Sequence, residues 1–472
     1  MKPLGSCGKA GLTVVLVLLY SCVVFAQGGG VDTTLVMAVG DSFVAGFQSG
    51  GLSIDGQRNS FPAFVARQMG AFLPLPTITR PGIPATLTIT PSGSIVPSSS
   101  SVGSLLLPPV GNSFHFNVAI PGFKVHDVLT QRPQLPDPVN RPGDILRDLI
   151  LGIPGLAVPG AVTTGSEIEQ VEALHPTFVI AWFGGNDVLG AFTSNNVSLV
   201  TPFASFSADY LTAMQRIKAA GAKVVTANIP DVTASPLVIP AEVVAATAGA
   251  PLSVIGPVLG ISAGDGVYAP AIALATSILA GQVPGPLPRS SVLTAADAAT
   301  IRAALLKEND FIKSTAGTLG IPMADFFGVL NNVKANGIVV GGRKLTANFL
   351  GGIIALDFIH PTNTGYALLA NEILKAVNTG YGTSFPLVDL NAVFASDPLG
   401  PLVHKSASDG EGENEVSILD IRVDQEWFRQ FQEFMAGPPR RSELPVVQEP
   451  VLVGSDAGLN RSENVQRVEV RR

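Results

Sequence analysis

Leu35-Val36-Met37-Ala38-Val39-Gly40-Asp41-Ser42-Phe43 is the stretch on which the fold turns: five apolar residues in a row, then a glycine, an acid and a serine. A short uncharged run without alternation reads as a strand buried on both faces. The serine is therefore delivered at the carboxyl end of a strand. Four more runs of similar character lie at 114–119, 178–183, 223–229 and 321–326. Helix signals fill the intervals. Ser60 caps a helix over 61–69 ended by Gly70, and 201–220 makes a second, closed by Gly221. A third spans 294–319 with Thr294 as cap and Asp297 in its first turn, and a last one over 363–377 is entered through Pro361. Strands alternating with helices predict an α/β fold with a parallel sheet covered on both faces.

Composition narrows the class. Of 472 residues, 46% are apolar and 14% charged, against roughly 25% charged in typical soluble domains, so the surface is poor in charge. Lys2 and Lys9 precede an uncharged apolar stretch at 12–25, with small residues Val24 and Ala26 at the cleavage positions. This predicts a secretory signal peptide over 1–26 and an exported protein: secreted, periplasmic or at the cell surface. Leu19-Tyr20-Ser21-Cys22 loosely resembles a bacterial lipobox, which would instead leave Cys22 lipidated. An uncleaved anchor is the third option. Both cysteines, Cys7 and Cys22, fall in this leader, so the cleaved chain has no thiol for disulfides or catalysis. Losing two lysines lowers Lys plus Arg from 29 to 27 against 36 acids, and the formal charge goes from −7 to −9. With no basic patch, nucleic acid is not an expected partner.

One domain at 27–400 carries two insertions. Residues 74–113, rich in Pro, Ser, Thr and Gly, predict an irregular or hairpin excursion. Residues 235–293 hold only two acids, Glu242 and Asp265, and eight prolines that argue against a membrane span. They read either as short buried helices and loops or as an apolar lid over a substrate cleft. After Pro401 the chain is acidic and then polar without periodicity, which predicts a largely disordered tail over 401–472. Within it, Trp427, Phe428, Phe431 and Phe434 fall on one face of a helix that would dock on the body or on a partner.

A serine hydroxyl needs an adjacent base, and the oxyanion its attack creates needs donors already in place. Ser42 fits the nucleophile, His360 the base and then acid, and Asp357 the group that holds the imidazole tautomer. The backbone NH groups of Ser42 and Gly122 and the Asn186 amide would form the oxyanion hole. Each also has a structural reading: Ser42 as a turn cap, Gly184-Gly185-Asn186-Asp187 as a tight turn, Asp357 and His360 as the prelude to a helix. Of the other histidines, His126 follows the oxyanion glycine and could line the cleft, while His115, His175 and His404 stand apart. None has a neighbour at metal-ligand spacing, and no phosphate loop is present, so neither metal nor cofactor is expected.

These residues resemble the SGNH or GDSL hydrolase superfamily. Its first block is matched by Val39-Gly40-Asp41-Ser42-Phe43, its second by Asn117 to Gly122, its third by Gly184 to Asp187, and its fifth by Asp357-Phe358-Ile359-His360 before Pro361. Phe43 stands where the first block often has leucine. The likeness covers roughly 34–390, since Gly351 to Tyr366 resembles the closing segment of lipase-like members. It implies a flavodoxin-like three-layer α/β/α sandwich with a five-stranded parallel sheet in the order 2-1-3-4-5. It also implies a lipase or esterase working through an acyl-enzyme, with Asp41, Gly184 and Asp187 in support. A carbohydrate acetyl esterase is the alternative enzyme, and a non-catalytic surface binding protein the alternative class. The partner is a small-molecule or lipid ester, with lipid-surface association compatible with the composition; the sequence does not fix the oligomeric state.

Overall fold

A computed structural model of the chain describes residues 30–106, 115–134, 142–152, 165–400 and 422–435. The leader, with Cys7, Cys22 and the junction after Ala26, lies outside them, as does His404. Four parallel strands, Val36–Gly40, Phe178–Trp182, Lys223–Ala227 and Met323–Ala324, form the central sheet in that spatial order. Every residue of the first two is buried. Helices cover both faces, which is why these runs are apolar without alternation.

The fifth member of the sheet is less regular than the sequence suggests. On the free edge of the first strand, Ala38 N donates to Phe116 O (2.8 Å), Val118 N to Ala38 O (3.0 Å) and Ile120 N to Gly40 O (3.0 Å). The expected order is kept, but only Ala38 opposite Asn117 makes a full bridge. Local polar groups compete: Phe116 N turns away to Pro74 O, and Asn117 spends its amide on Val44 O and Ala119 N. The strand expected over 321–326 shortens to Met323–Ala324. Pro322 before it has no NH to give, and Asp325 after it already caps the next helix, Phe326–Asn336.

The helices match their caps. Ser60 Oγ accepts from Ala63 N at the start of Phe61–Gln68, and Thr294 Oγ1 from Asp297 N at the start of Ala295–Leu319. Phe203–Ala219 begins after Pro202 instead of at Thr201. Asn363–Tyr381 runs one turn beyond residue 377, to a left-handed Gly382. The first insertion contains an antiparallel hairpin, Leu87–Ile89 with Ser94–Pro97. The second forms a small antiparallel sheet, Val238–Pro240, Gly266–Tyr268 and Val292–Leu293, with short helices Ala241–Thr247, Leu252–Leu259 and Ile272–Leu279. Among the described residues, no single helix is long and apolar enough to cross a membrane. Within 401–472, Arg422–Val423 pairs in parallel with Ser94–Ile95 and leads into a helix, Gln425–Met435, with Trp427, Phe428 and Phe431 buried; the rest of that stretch lies outside the described residues.

Candidate active site

The first strand ends at Gly40, whose φ of +149° leaves room for no side chain: a Cβ there would meet Trp182 O at 1.8 Å. The chain then turns abruptly into a one-turn helix, Ser42–Ala45, and Asp41 Oδ1 accepts from Phe43 N to cap it (3.1 Å). Ser42 is thereby fixed at the carboxyl edge of the sheet, where ligands bind in open α/β folds.

Asp357 and His360 come from the far end of the chain. Asp357 Oδ1 accepts from Ile359 N (3.1 Å) and His360 N (2.9 Å), closing a tight loop around itself. This loop holds Phe358 at φ +67°, a left-handed conformation unusual for a bulky side chain. Ser235 Oγ donates to Phe358 O (2.6 Å), and the Phe358 ring stacks on Phe349. Asp357 Oδ2 accepts from Gly50 N (2.7 Å) and lies 3.0 Å from His360 Nδ1. On the other side of the ring, His360 Nε2 lies 2.8 Å from Ser42 Oγ. Burial pushes the Asp357 carboxyl up, but the His360 ring and the hydrogen bonds from His360 and Gly50 outweigh it and hold the group below its ordinary value. Gln48 Nε2 ties the two regions together through Pro361 O (3.0 Å).

Gly184, with φ +114°, opens the helix Gly185–Thr193 that carries Asn186 and Asp187. The Asn186 amide donates to Phe123 O (2.9 Å) and faces Asp41 Oδ2 at 3.4 Å. Asp187 Oδ2 accepts from Val125 N (3.0 Å), so it fixes the segment following Gly122 relative to Asn186. Burial raises the Asp187 carboxyl to about 6, and burial also raises Asp41 well above its ordinary range. Asn186 and Ser42 line one cavity; Gly122, at φ +86°, instead faces the C-terminal helix, where a Cβ would lie 3.0 Å from Phe434 O.

That cavity offers about 60 Å³ to the centres of water-sized molecules, is partly open to solvent, and runs from Ser42 past Phe43, Trp182, Leu189, Ile229 and Phe358. Of the second insertion only Ser235 and Pro236 line it. The bulk of 235–293 is short helices and strands, as in the first of its two readings, and the helix Gln425–Met435 stands over the site where the lid reading would have put the insertion. Its Phe431 stands edge-on to His360 with centroids 6.4 Å apart, and its Phe434 stacks on Phe47 at 5.3 Å.

Several contributors left no sequence signal. Glu167 Oε2 accepts from Gly40 N (2.6 Å) at the base of the turn that carries Ser42, and burial pushes this carboxyl well up. Gly50, Ser235 and Phe47 join it. His126 is exposed and 3.1 Å from Asp209, outside the cavity, and His115 bonds to Ile150 O. His175 ends the helix Glu167–Leu174. Among the described residues, no three His, Cys, Asp or Glu side chains converge as metal ligands would.

No curated protein matches the chain. Among solved structures it is similar to two mutants of an acetyl-xylooligosaccharide esterase from Geobacillus Stearmophilus, at 13% and 12% identity with TM-scores of 0.34 and 0.35, covering 76% of this chain and 97% of those. It is also similar to the extracellular lipase from Streptomyces rimosus, at 15% identity and a TM-score of 0.30, covering 74% of this chain and 99% of that one. The family model for GDSL-like Lipase/Acylhydrolase matches residues 36–373, a span that holds Ser42, Gly122, Asn186, Asp357 and His360. The chain belongs to the GDSL-like Lipase/Acylhydrolase family.

Proposed function

We propose that this protein is an exported serine hydrolase of carboxylic esters with a substantial apolar acyl portion, and that residues 27–400 form its hydrolase domain. Family membership supports ester hydrolysis. The observation that carries the finer reading is the buried relay from Ser42 Oγ to His360 Nε2 (2.8 Å) and from His360 Nδ1 to Asp357 Oδ2 (3.0 Å). Asp357 accepts a hydrogen bond from Nδ1–H, which fixes the tautomer and leaves Nε2 free to take the serine proton as Oγ attacks the ester carbonyl. The oxyanion is stabilised by Ser42 N, Gly122 N and the Asn186 amide, whose hydrogen facing Asp41 Oδ2 at 3.4 Å makes only a weak bond. Asp41, Gly184 and Asp187 hold this frame. His360 Nε2 then hands its proton to the leaving alkoxide, the acyl group stays on Ser42, and a water deprotonated by the same nitrogen releases it.

The apolar wall of Phe43, Trp182, Leu189, Ile229 and Phe358 supports an aliphatic acyl chain over an acetyl group. The expected result is faster hydrolysis of nitrophenyl octanoate than of nitrophenyl acetate by the mature protein, with both activities lost in Ser42→Ala. A preference for acetate would contradict the acyl assignment, and full activity in Ser42→Ala would remove the nucleophile. Export rests on the leader; mass spectrometry of the mature amino terminus separates cleavage after Ala26 from lipidation at Cys22.

A further inference from the structure

The helix Gln425–Met435 lies outside the span the family model matches, yet it occupies one side of the site. Its inward face is aromatic, while Arg429 on its outer face pairs with Glu426 and Glu433. Beneath Phe431 and Phe434, Ser42 is 1% and His360 0% exposed. The cavity on the far side can take an acyl chain, but the alcohol half of an ester must lie where His360 Nε2 can protonate it. That side is filled by the two rings, and a close-packed interior leaves no room for both.

Little directional bonding keeps the helix in place. Gln432 Nε2 donates to Thr193 O (2.6 Å), Gln425 Nε2 to Pro270 O (2.8 Å), and the strand before it pairs over only two residues. Among the described residues the rest of the helix's inward face makes apolar contact, which is non-directional and is satisfied equally by another apolar medium. Pro270 belongs to the insertion at 235–293, and that insertion presents such a medium's counterpart. Val243, Val254, Val258 and Val283 are 41%, 58%, 44% and 37% exposed there. The same stretch has only three charged residues, Glu242, Asp265 and Arg289. An exposed apolar patch of this kind marks an interaction surface, and because its one basic residue, Arg289, is already paired with Asp297, it fits a neutral lipid surface rather than an anionic one.

We propose that Gln425–Met435 is a cover that leaves the site when the insertion meets an electrically neutral lipid–water interface, so that esters are turned over at such a surface. The proposal rests on the hydrolase reading for its activity arm only. In the full mature chain, labelling of Ser42 by a fluorophosphonate is slow in solution. Phosphatidylcholine vesicles, or the double variant Phe431→Ser/Phe434→Ser, raise the rate at least about tenfold by raising the open fraction. Equal rates in all three samples overturn the cover, whereas no labelling in any sample overturns the hydrolase reading alone. A second measurement then decides: brominated phosphatidylcholine quenches the emission of Trp427, and quenching is lost in Trp427→Phe and in Val254→Glu/Val258→Glu. The only other tryptophan, Trp182, is buried in a core strand. Unquenched Trp427 overturns the proposal whatever the labelling shows.

Discussion

The floor and the roof of this site are made of different materials. In the floor, directional bonds fix the segments that carry the site: Gly50 N and His360 N hold Asp357, Glu167 holds Gly40 N before Ser42, and Asp187 holds Val125 N. In the roof, Phe431 and Phe434 meet His360 and Phe47 through ring contacts alone. Hydrogen bonds impose geometry, whereas apolar contact imposes only proximity. The molecule is rigid where chemistry needs small tolerances and exchangeable where substrate must pass. Changes in the floor should therefore act on kcat, and changes in the roof on access.

The largest effect falls on the relay. Ser42→Ala should reduce kcat about a million-fold, to the residue of catalysis left by oxyanion binding. Asp357→Asn should cost about 10⁴-fold in kcat because the amide supports the wrong imidazole tautomer. Stopped assays with nitrophenyl octanoate measure both; a loss confined to KM would break the distinction between floor and roof. A smaller effect is expected at Ser235, which touches no reacting atom but holds the carbonyl of the strained Phe358. Removing that bond in Ser235→Ala should cost about 1 kcal/mol of stability and lower kcat roughly tenfold, with KM unchanged. Ser235→Thr, which keeps the hydroxyl, should restore kcat; failure of that rescue would show that the side chain acts by packing.

The same contrast explains what the sequence reveals. The core strands are legible because a strand buried on both faces must be apolar throughout, and Gly40 and Gly184 mark their exits. Caps such as Ser60 and Thr294 act within a few residues, so local pattern finds them. Ser42 is legible as a serine at a strand end, and Asp357 and His360 as an acid and a histidine three residues apart before the last long helix. Their supports are not: Glu167 and Gly50 reach their partners across 127 and 307 positions, and nothing local distinguishes a buried glutamate from a solvated one. The spacing of Trp427, Phe428, Phe431 and Phe434 shows that one helix face must be covered, but the surface that covers it is assembled from Gly50, Phe47 and Gly122. The edge segment expected at 114–119 keeps its place beside the first strand but makes only one full bridge, because the Asn117 side chain bonds to Val44 O and Ala119 N.

An electrostatic weakness lies under the floor. Glu308, on Ala295–Leu319, is buried, and its Oε2 has no partner among the described residues. Burial first, and then the nearby Asp187 carboxylate, push it from 4.5 to about 9. The folded state thus keeps a proton that the unfolded chain releases above its ordinary value. Stability from this group is complete below about pH 4.5 and is lost progressively as pH rises towards 9, by up to about 1.4 kcal/mol per pH unit. Asp187 acts in the same direction over a narrower window, from 3.8 to about 6. Glu308→Gln is neutral in both states and removes the first of these losses. Its Tm relative to the parent should climb steadily between pH 5 and pH 8, whatever constant offset the amide introduces through its own unpaired hydrogens. The slope decides the matter: a Tm difference that stays flat across that range would mean that Glu308 ionises as freely in the folded protein as in water.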